Sequence, residues 1–268
     1  MNPTEIKHAL ATLGGGANKT LGQHFLVDKN VLQKIVDAAS IKDGDHVIEI
    51  GPGLGVLTEE LIRRGADVTA IEQDMRFVTY LMTTLVTMKL EVVAGDAAEN
   101  DWDELLRGTP WKFVSNLPYS ITSLAIRKAL WTPRPPEIVV VLIQREVAER
   151  AIAKDGKTSL LSLMVALASS SSRIVTRVAR GAFFPPPKVE SAVLEIVPMS
   201  IVDREKKWGI APEKIMEVAK KGFAHPRKLL ASNLGIDARV LSDIGLNPKA
   251  RSEDLSPDEW AALTKKLI

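Results

Sequence analysis

Cysteine is absent from the 268 residues, which excludes disulfides, thiolate metal sites and a cysteine nucleophile. The four histidines, His8, His24, His46 and His225, are scattered without the spacing of a ligand set, so no metal site is expected. No apolar run approaches the roughly 20 residues that a membrane-spanning helix needs. Residues 1–8 are polar with no apolar core behind them, unlike a secretion signal. Internal repeats and low-complexity tracts are also missing. What these absences leave is a cytoplasmic globular protein. Its composition, 46% hydrophobic and 25% charged, is enough for a packed core rather than disorder.

Charge is distributed unevenly. Residues 1–126 hold 11 Lys/Arg against 17 Asp/Glu, whereas residues 127–268 hold 24 against 16. A basic half beside an acidic one points to a polyanion on one face, with solvated surface charge as the plain alternative.

The pattern along the chain alternates strand and helix from residue 46 onward. Residues 1–18, with Gly14-Gly15-Gly16, read as a flexible arm. A helix is predicted from Asp28, with Val31, Leu32, Ile35, Val36 and Ala39 on one face. Strands are expected over 46–50, 67–71, 90–93, 112–114 and 138–143, with helices at 56–64 and from Met75. Such alternation means a largely parallel sheet covered on both faces, with ligands at the carboxyl ends of strands. A helical stretch over 160–168 and strands over 173–178 and 191–197 follow, joined through Gly181-Ala182-Phe183-Phe184-Pro185-Pro186-Pro187. Beyond Pro198 the pattern is purely helical, so domains of 1–200 and 201–268 are expected, the second small and all-α. Ser256-Pro257-Asp258-Glu259 is a capping box with proline at N1 for the last helix.

The residues that carry chemistry fall at strand ends. Glu49-Ile50-Gly51-Pro52-Gly53-Leu54-Gly55 lies between a strand and a helix, where Gly51 and Gly53 let backbone approach a nucleoside-bearing ligand closely. Glu72, twenty-one residues after Gly51, is placed to take both ribose hydroxyls, and Asp96 to accept from an adenine amine or to cap a helix. The distinguishing stretch is Asn116-Leu117-Pro118-Tyr119. The Asn116 carboxamide and the carbonyl of Leu117 or Pro118 would accept from an exocyclic amine while Tyr119 stacks on the base. Hydride transfer needs no such tetrad, so the ligand of the glycine loop is read as a methyl donor and the reaction as in-line displacement. Phe183 and the prolines after it form a rigid wedge, a second wall for an extruded base, whereas Phe184 reads as a buried hydrophobe. Lys220, Lys221, Arg227 and Lys228 surround a helix break at Pro226 and suit phosphate contacts, or a solvated helix face.

Leu21-Gly22-Gln23-His24-Phe25-Leu26, residues 49–58, Ile71-Glu72-Gln73-Asp74, Gly95-Asp96-Ala97 and Asn116-Leu117-Pro118-Tyr119 occur in order. Gln144-Arg145-Glu146-Val147-Ala148, residues 183–191 and His225-Pro226-Arg227-Lys228 follow. Over nearly its whole length the chain resembles the small-subunit ribosomal RNA adenine dimethyltransferases (KsgA type). The resemblance implies a Rossmann-like class I methyltransferase fold, with a mainly parallel seven-stranded sheet. It implies S-adenosylmethionine held by His24, Leu26, Gly51, Glu72, Asp96 and Asn116. It implies four methyl transfers to the N6 atoms of two adjacent adenines near the 3′ end of 16S rRNA, in an assembling small subunit. Tyr119 and Phe183 would sandwich the base, and the helical domain would help dock the particle; a monomer is expected, with no membrane partner. Ser120 stands where relatives often have Asn, and Lys157-Thr158-Ser159-Leu160-Leu161-Ser162 where many have a Tyr-Gly-x-Leu-Ser run. The alternatives are dimethylation of a single adenine of 23S rRNA, of the antibiotic-resistance type, and a non-catalytic RNA-binding assembly or transcription factor.

Overall fold

The computed structural model describes residues 1–17, 23–105, 109–153 and 157–268; Leu21-Gly22 of the expected motif lies outside the described residues. The described strands are β1 (Phe25–Leu26), β2 (His46–Ile50), β3 (Asp67–Glu72), β4 (Leu90–Ala94), β5 (Trp111–Asn116), β6 (Val139–Gln144), β7 (Ser169–Val178), β8 (Phe183–Phe184) and β9 (Ser191–Pro198). Seven of them form one sheet in the order β4-β3-β2-β5-β6-β9-β7, and β1 and β8 form an antiparallel ribbon. The pairs β2–β3, β3–β4, β2–β5 and β5–β6 are parallel, and β6–β9 is antiparallel.

The sequence explains the first half of this order. Helices Val56–Arg63 and Met75–Thr84 return the chain between β2, β3 and β4, each with an apolar stripe turned inward. After β4 the chain crosses to the other side of β2 and lays down β5, with His46 opposite Trp111. Strand order thus reverses between β2 and β5, and a crevice opens at their carboxyl ends. The continuous apolar run of β6 is buried from Val139 to Ile143, as an interior strand covered on both faces requires.

The chain forms two compact units, residues 1–148 with 173–197, and residues 149–172 with 198–268. A single cut at residue 200 therefore leaves out the segment 149–172. The reason lies in helix Leu160–Ala168, which is apolar nearly all round and so must be covered on every side. Within the second unit it packs on helix Pro212–Gly222, and the Trp208 indole nitrogen donates to Leu167 O at 2.9 Å. The departure at Lys157–Ser162 has a local role, since Ser159 and Ser162 form the capping box of that helix. The last helix, Pro257–Leu267, starts on Ser256 as its sequence predicts and buries Trp260.

The expected N-terminal arm is corrected. Residues Pro3–Thr12 are helical, begun by a capping box in which Asn2 accepts from the Thr4 and Glu5 amides and Glu5 accepts from the Asn2 amide. Ile6, Ala9 and Leu10 share a face and bury against Phe25, Leu54 and Phe77. Only after Leu13 does the glycine triplet end the helix, Gly14 adopting φ +79°.

Candidate active site

Ten of the residues singled out in the sequence line one cleft at the reversal point: His24, Leu26, Gly51, Gly53, Glu72, Asp96, Asn116, Leu117, Pro118 and Tyr119. Counted out to its open mouth the cleft encloses about 1130 Å³, room for a nucleoside with an amino-acid tail and for a base beside it.

The glycine loop shapes one wall. Gly51, Gly53 and Gly55 hold φ of +66°, +57° and +75°, a conformation that a β-carbon disfavours. Their amides are already engaged: Gly51 N donates to Ile71 O, Gly55 N to Pro52 O and Gly53 N to Glu72 Oε2. The loop therefore offers close backbone approach rather than a nest of free N–H groups, which suits a ligand without phosphate. Gly53 serves the site through Glu72. That carboxylate takes the Gly53 amide at 3.1 Å on one oxygen and the Asp74 amide at 2.8 Å on the other, which fixes its plane. Each oxygen keeps a second lone pair, matching a vicinal diol. Burial raises the Glu72 pKa, and the two amides oppose that rise.

Around Glu72 the chain is clasped. Asp74 accepts from Gln23 Nε2 at 3.0 Å and from Arg76, whose guanidinium holds the carboxyl down at about 2. Asp96 follows β4 and accepts from the Ala98 amide at 2.8 Å, which closes a turn rather than capping a helix, since the next helix begins only at Trp102; its side chain lines the cleft.

The opposite wall is the β5 end. Asn116 Nδ2 donates to His24 O at 3.3 Å, which leaves Oδ1 as an acceptor with no partner among the described residues. The Pro118 carbonyl accepts from the Ile121 amide at 3.2 Å, closing the turn Tyr119–Ile121. The Leu117 carbonyl accepts no hydrogen bond among the described residues, so of the two carbonyls expected from the sequence it is the one left for a ligand. His24 Nδ1 lies 2.8 Å from Pro185 O and must carry the proton, because a carbonyl only accepts. The Tyr119 ring stands 5.9 Å from the His24 ring, and its hydroxyl is 2.7 Å from Ser191 Oγ. Burial raises the phenol pKa, so the ring is neutral.

Two findings depart from the sequence reading. Phe183 does not line the cleft: it is 3% exposed, in the core cluster with Leu26, Val178, Ala182 and Val193. Phe184 is the half-buried one, packed beside the N-terminal helix with Lys7 Nζ 5.3 Å from its ring. The cause is register, since Phe183 pairs with Leu26 and Phe184 with Phe25, and neighbours in a strand face opposite ways. The second finding is Glu49, which lines the cleft floor at 1% exposure. Burial pushes its carboxyl up to about 8, the nearby Glu72 charge adding to the rise, while Thr58 donates to it at 2.7 Å. A lone acid inside the apolar strand 46–50 was its signal. Ser191 had none, lying seventy-two positions from its partner Tyr119.

Lys220, Lys221, Arg227 and Lys228 lie in the helical unit, all exposed, around the turn between helices Pro212–Gly222 and Leu230–Leu234. Asn233 holds that turn by donating to Gly222 O and His225 O.

The profile of the family described as ribosomal RNA adenine dimethylase matches residues 15–268. The small-subunit rRNA methyltransferase A of Dehalococcoides mccartyi is 39% identical over 92% of this chain and 87% of its own length. Its namesake in Sphingopyxis alaskensis is 37% identical over 98% of both. The chain belongs to the ribosomal RNA adenine dimethylases. Among solved structures, a dimethyladenosine transferase from Plasmodium falciparum superposes with a TM-score of 0.76 at 26% identity, covering 91% of this chain and 99% of that one. The 23S rRNA methyltransferase ErmE superposes at 0.69 with 24% identity, over 91% and 99%, a likeness of fold. This dimethylase thus has the class I methyltransferase fold expected of it and uses S-adenosylmethionine. The cleft fits that methyl donor: a diol-matching carboxylate, an acid just after β4 and an apolar floor of Ile50, Ile71 and Phe77. No helix among the described residues is long and apolar enough to cross a membrane.

Proposed function

We propose that this dimethylase transfers four methyl groups to the N6 atoms of two adjacent adenines near the 3′ end of 16S rRNA, in an assembling small subunit. It does so in the cytoplasm and as a monomer. The curated relatives' names support the small subunit as substrate. The observation that carries the chemistry is the Asn116–His24 hydrogen bond, which engages Nδ2 and leaves Oδ1 as the carboxamide's acceptor for a ligand.

Bound S-adenosylmethionine supplies a methyl carbon made electrophilic by the positive sulfur. Glu72 would hold its ribose and Asp96 its adenine amine, with Gly51, His24 and Leu26 closing around it. The target adenine leaves its stack and lies on Tyr119. Asn116 Oδ1 and the Leu117 carbonyl accept its two amine hydrogens, which turns the nitrogen lone pair toward the methyl carbon. The N–C bond forms as the S–C bond breaks, and the surplus proton leaves to water, so no strong base is required. After the first transfer one hydrogen remains, and one acceptor suffices to orient the second. Phe183 belongs to this reading as the second wall once its ring turns out of the cluster around Leu26. Lys220, Lys221, Arg227 and Lys228 would contact rRNA phosphates.

The test is mass spectrometry of nucleosides from unmodified small subunits incubated with enzyme and S-adenosylmethionine. N6,N6-dimethyladenosine at two neighbouring positions is expected. Label appearing only in naked 23S rRNA, or nowhere, would remove the assignment.

A further inference from the structure

The segment after β4, Gly95-Asp96-Ala97-Ala98-Glu99-Asn100, folds back on itself. The Glu99 and Asn100 amides donate to the Asp96 carbonyl at 3.0 and 3.1 Å. Such a turn sends the following carbonyls outward, and three of them converge on one cation. Lys128 Nζ donates to Ala97 O at 3.1 Å, to Ala98 O at 2.9 Å and to Asn100 O. An ammonium has three protons, so its capacity is filled by one loop. Trp102 closes the arrangement, its indole nitrogen donating to Ala97 O at 3.0 Å and its ring lying 5.3 Å from Nζ. Burial works against the lysine's charge, and the Asp101 and Asp96 carboxylates work for it.

Lys128 stands near the end of helix Thr122–Leu130, which follows directly on the Tyr119–Ile121 turn. The cation therefore ties the loop bearing Asp96 to the helix that leaves the Asn116–Tyr119 motif. It is not among the residues lining the cleft. A lysine kept for solubility would leave its protons to water; this one spends them on backbone carbonyls.

We propose that Lys128 is a positioning residue that sets the Asp96 carboxylate against the methyl donor's adenine. Selectivity for an amino-bearing purine then depends on a side chain outside the site. The inference rests on the reading of Asp96 as acceptor of that amine.

The test is calorimetric binding of S-adenosylhomocysteine, and of its hypoxanthine counterpart lacking the amine, to the full chain. Lys128→Met keeps the aliphatic stem and removes the three N–H donors. It is expected to weaken the adenine ligand about tenfold, the weight of one hydrogen bond to a charged acceptor. The hypoxanthine ligand should bind as before or better. Trp102→Phe, losing the indole donor together with one ring of a buried side chain, should give the same selective loss in smaller measure, and carries the test if Lys128→Met fails to fold. Equal losses for both ligands, or none for either, overturn the proposal. Asp96→Ala separates the two layers. If that variant still prefers adenine, the reading of Asp96 is wrong; if it loses the preference while Lys128→Met retains it, only the role of Lys128 is wrong.

Discussion

Gly51 lies against Pro118: a β-carbon on the glycine would stand 3.0 Å from the proline Cγ and 3.1 Å from Cδ. The loop that leaves β2 and the motif that closes β5 share a van der Waals surface, so the subsites proposed for methyl donor and base would be mechanically joined. Gly51→Ala adds about 1–2 kcal/mol of left-handed strain to a contact that a rigid pyrrolidine ring relieves only by moving. Donor binding should weaken about tenfold, and kcat should fall as well, because Pro118 carries the Leu117 carbonyl with it. Adding Pro118→Ala should restore part of kcat but not the affinity. If Gly51→Ala loses affinity alone, with kcat untouched, the two walls are not coupled.

Asn116→Ala removes the oriented oxygen and leaves Glu72 and Asp96 in place. Single-turnover methylation should drop by about 10²–10³, the usual weight of one preorganised polar group. S-adenosylhomocysteine affinity, read by calorimetry, should change little. Equal turnover in the variant would refute the carboxamide's role.

Glu49 gives a pH prediction. Its carboxyl titrates at about 8 when folded against 4.5 when free, so in that window the folded chain binds a proton that the unfolded chain has released. Stability must then fall as pH rises through the window. Glu49→Gln keeps an acceptor for Thr58 and removes the titration. Its melting temperature should decline less steeply between pH 5 and 8 than that of the parent, roughly the span of the two values; parallel melting curves would mean that the acid is not held protonated.

What the sequence revealed and concealed follows the range of the forces involved. The strand ends at Gly51, Glu72, Asp96 and Asn116 were legible because an apolar run stopped by one polar residue is a local pattern. Strand–helix alternation announced the parallel sheet, but the β2–β5 reversal that gathers them is a matter of strand order, which no local pattern carries. The helix Pro3–Thr12 was masked by the glycines after it, although Asn2-Pro3-Thr4-Glu5 carries a capping signature; its partners Phe25, Leu54 and Phe77 are distant in sequence. Segment 149–172 joined the helical unit through long-range burial that no window contains. Phe183 and Phe184 were indistinguishable by composition, and only the pairing of β8 on β1 decides which faces the core.

The exposed turn around Pro226 makes a salt-dependence prediction. Replacing Lys220, Lys221, Arg227 and Lys228 by Ala should weaken binding to unmodified small subunits and flatten the plot of log affinity against log salt. Each phosphate that is no longer neutralised should reduce the slope by about 0.7–0.9. Filter binding over a salt series reads both quantities, and an unchanged slope would take these four residues out of the interface.

Phe183 sits in the core, while the proposed function asks its ring to stack on the base. At 3% exposure its packing against Leu26, Val178 and Ala182 stabilises the first unit, and truncation to Ala should cost about 3–5 kcal/mol. A core role alone predicts a lower melting temperature with unchanged turnover for the folded fraction. A stacking role adds a loss of kcat/KM for the particle at unchanged S-adenosylhomocysteine affinity, because only the base loses its wall. Phe183→Leu sharpens the comparison, keeping most of the buried volume while removing the aromatic face. Near-parental melting with turnover reduced about tenfold, roughly one stacked base, would place the ring against the adenine. Full activity in that variant would leave Tyr119 as the sole stacking surface.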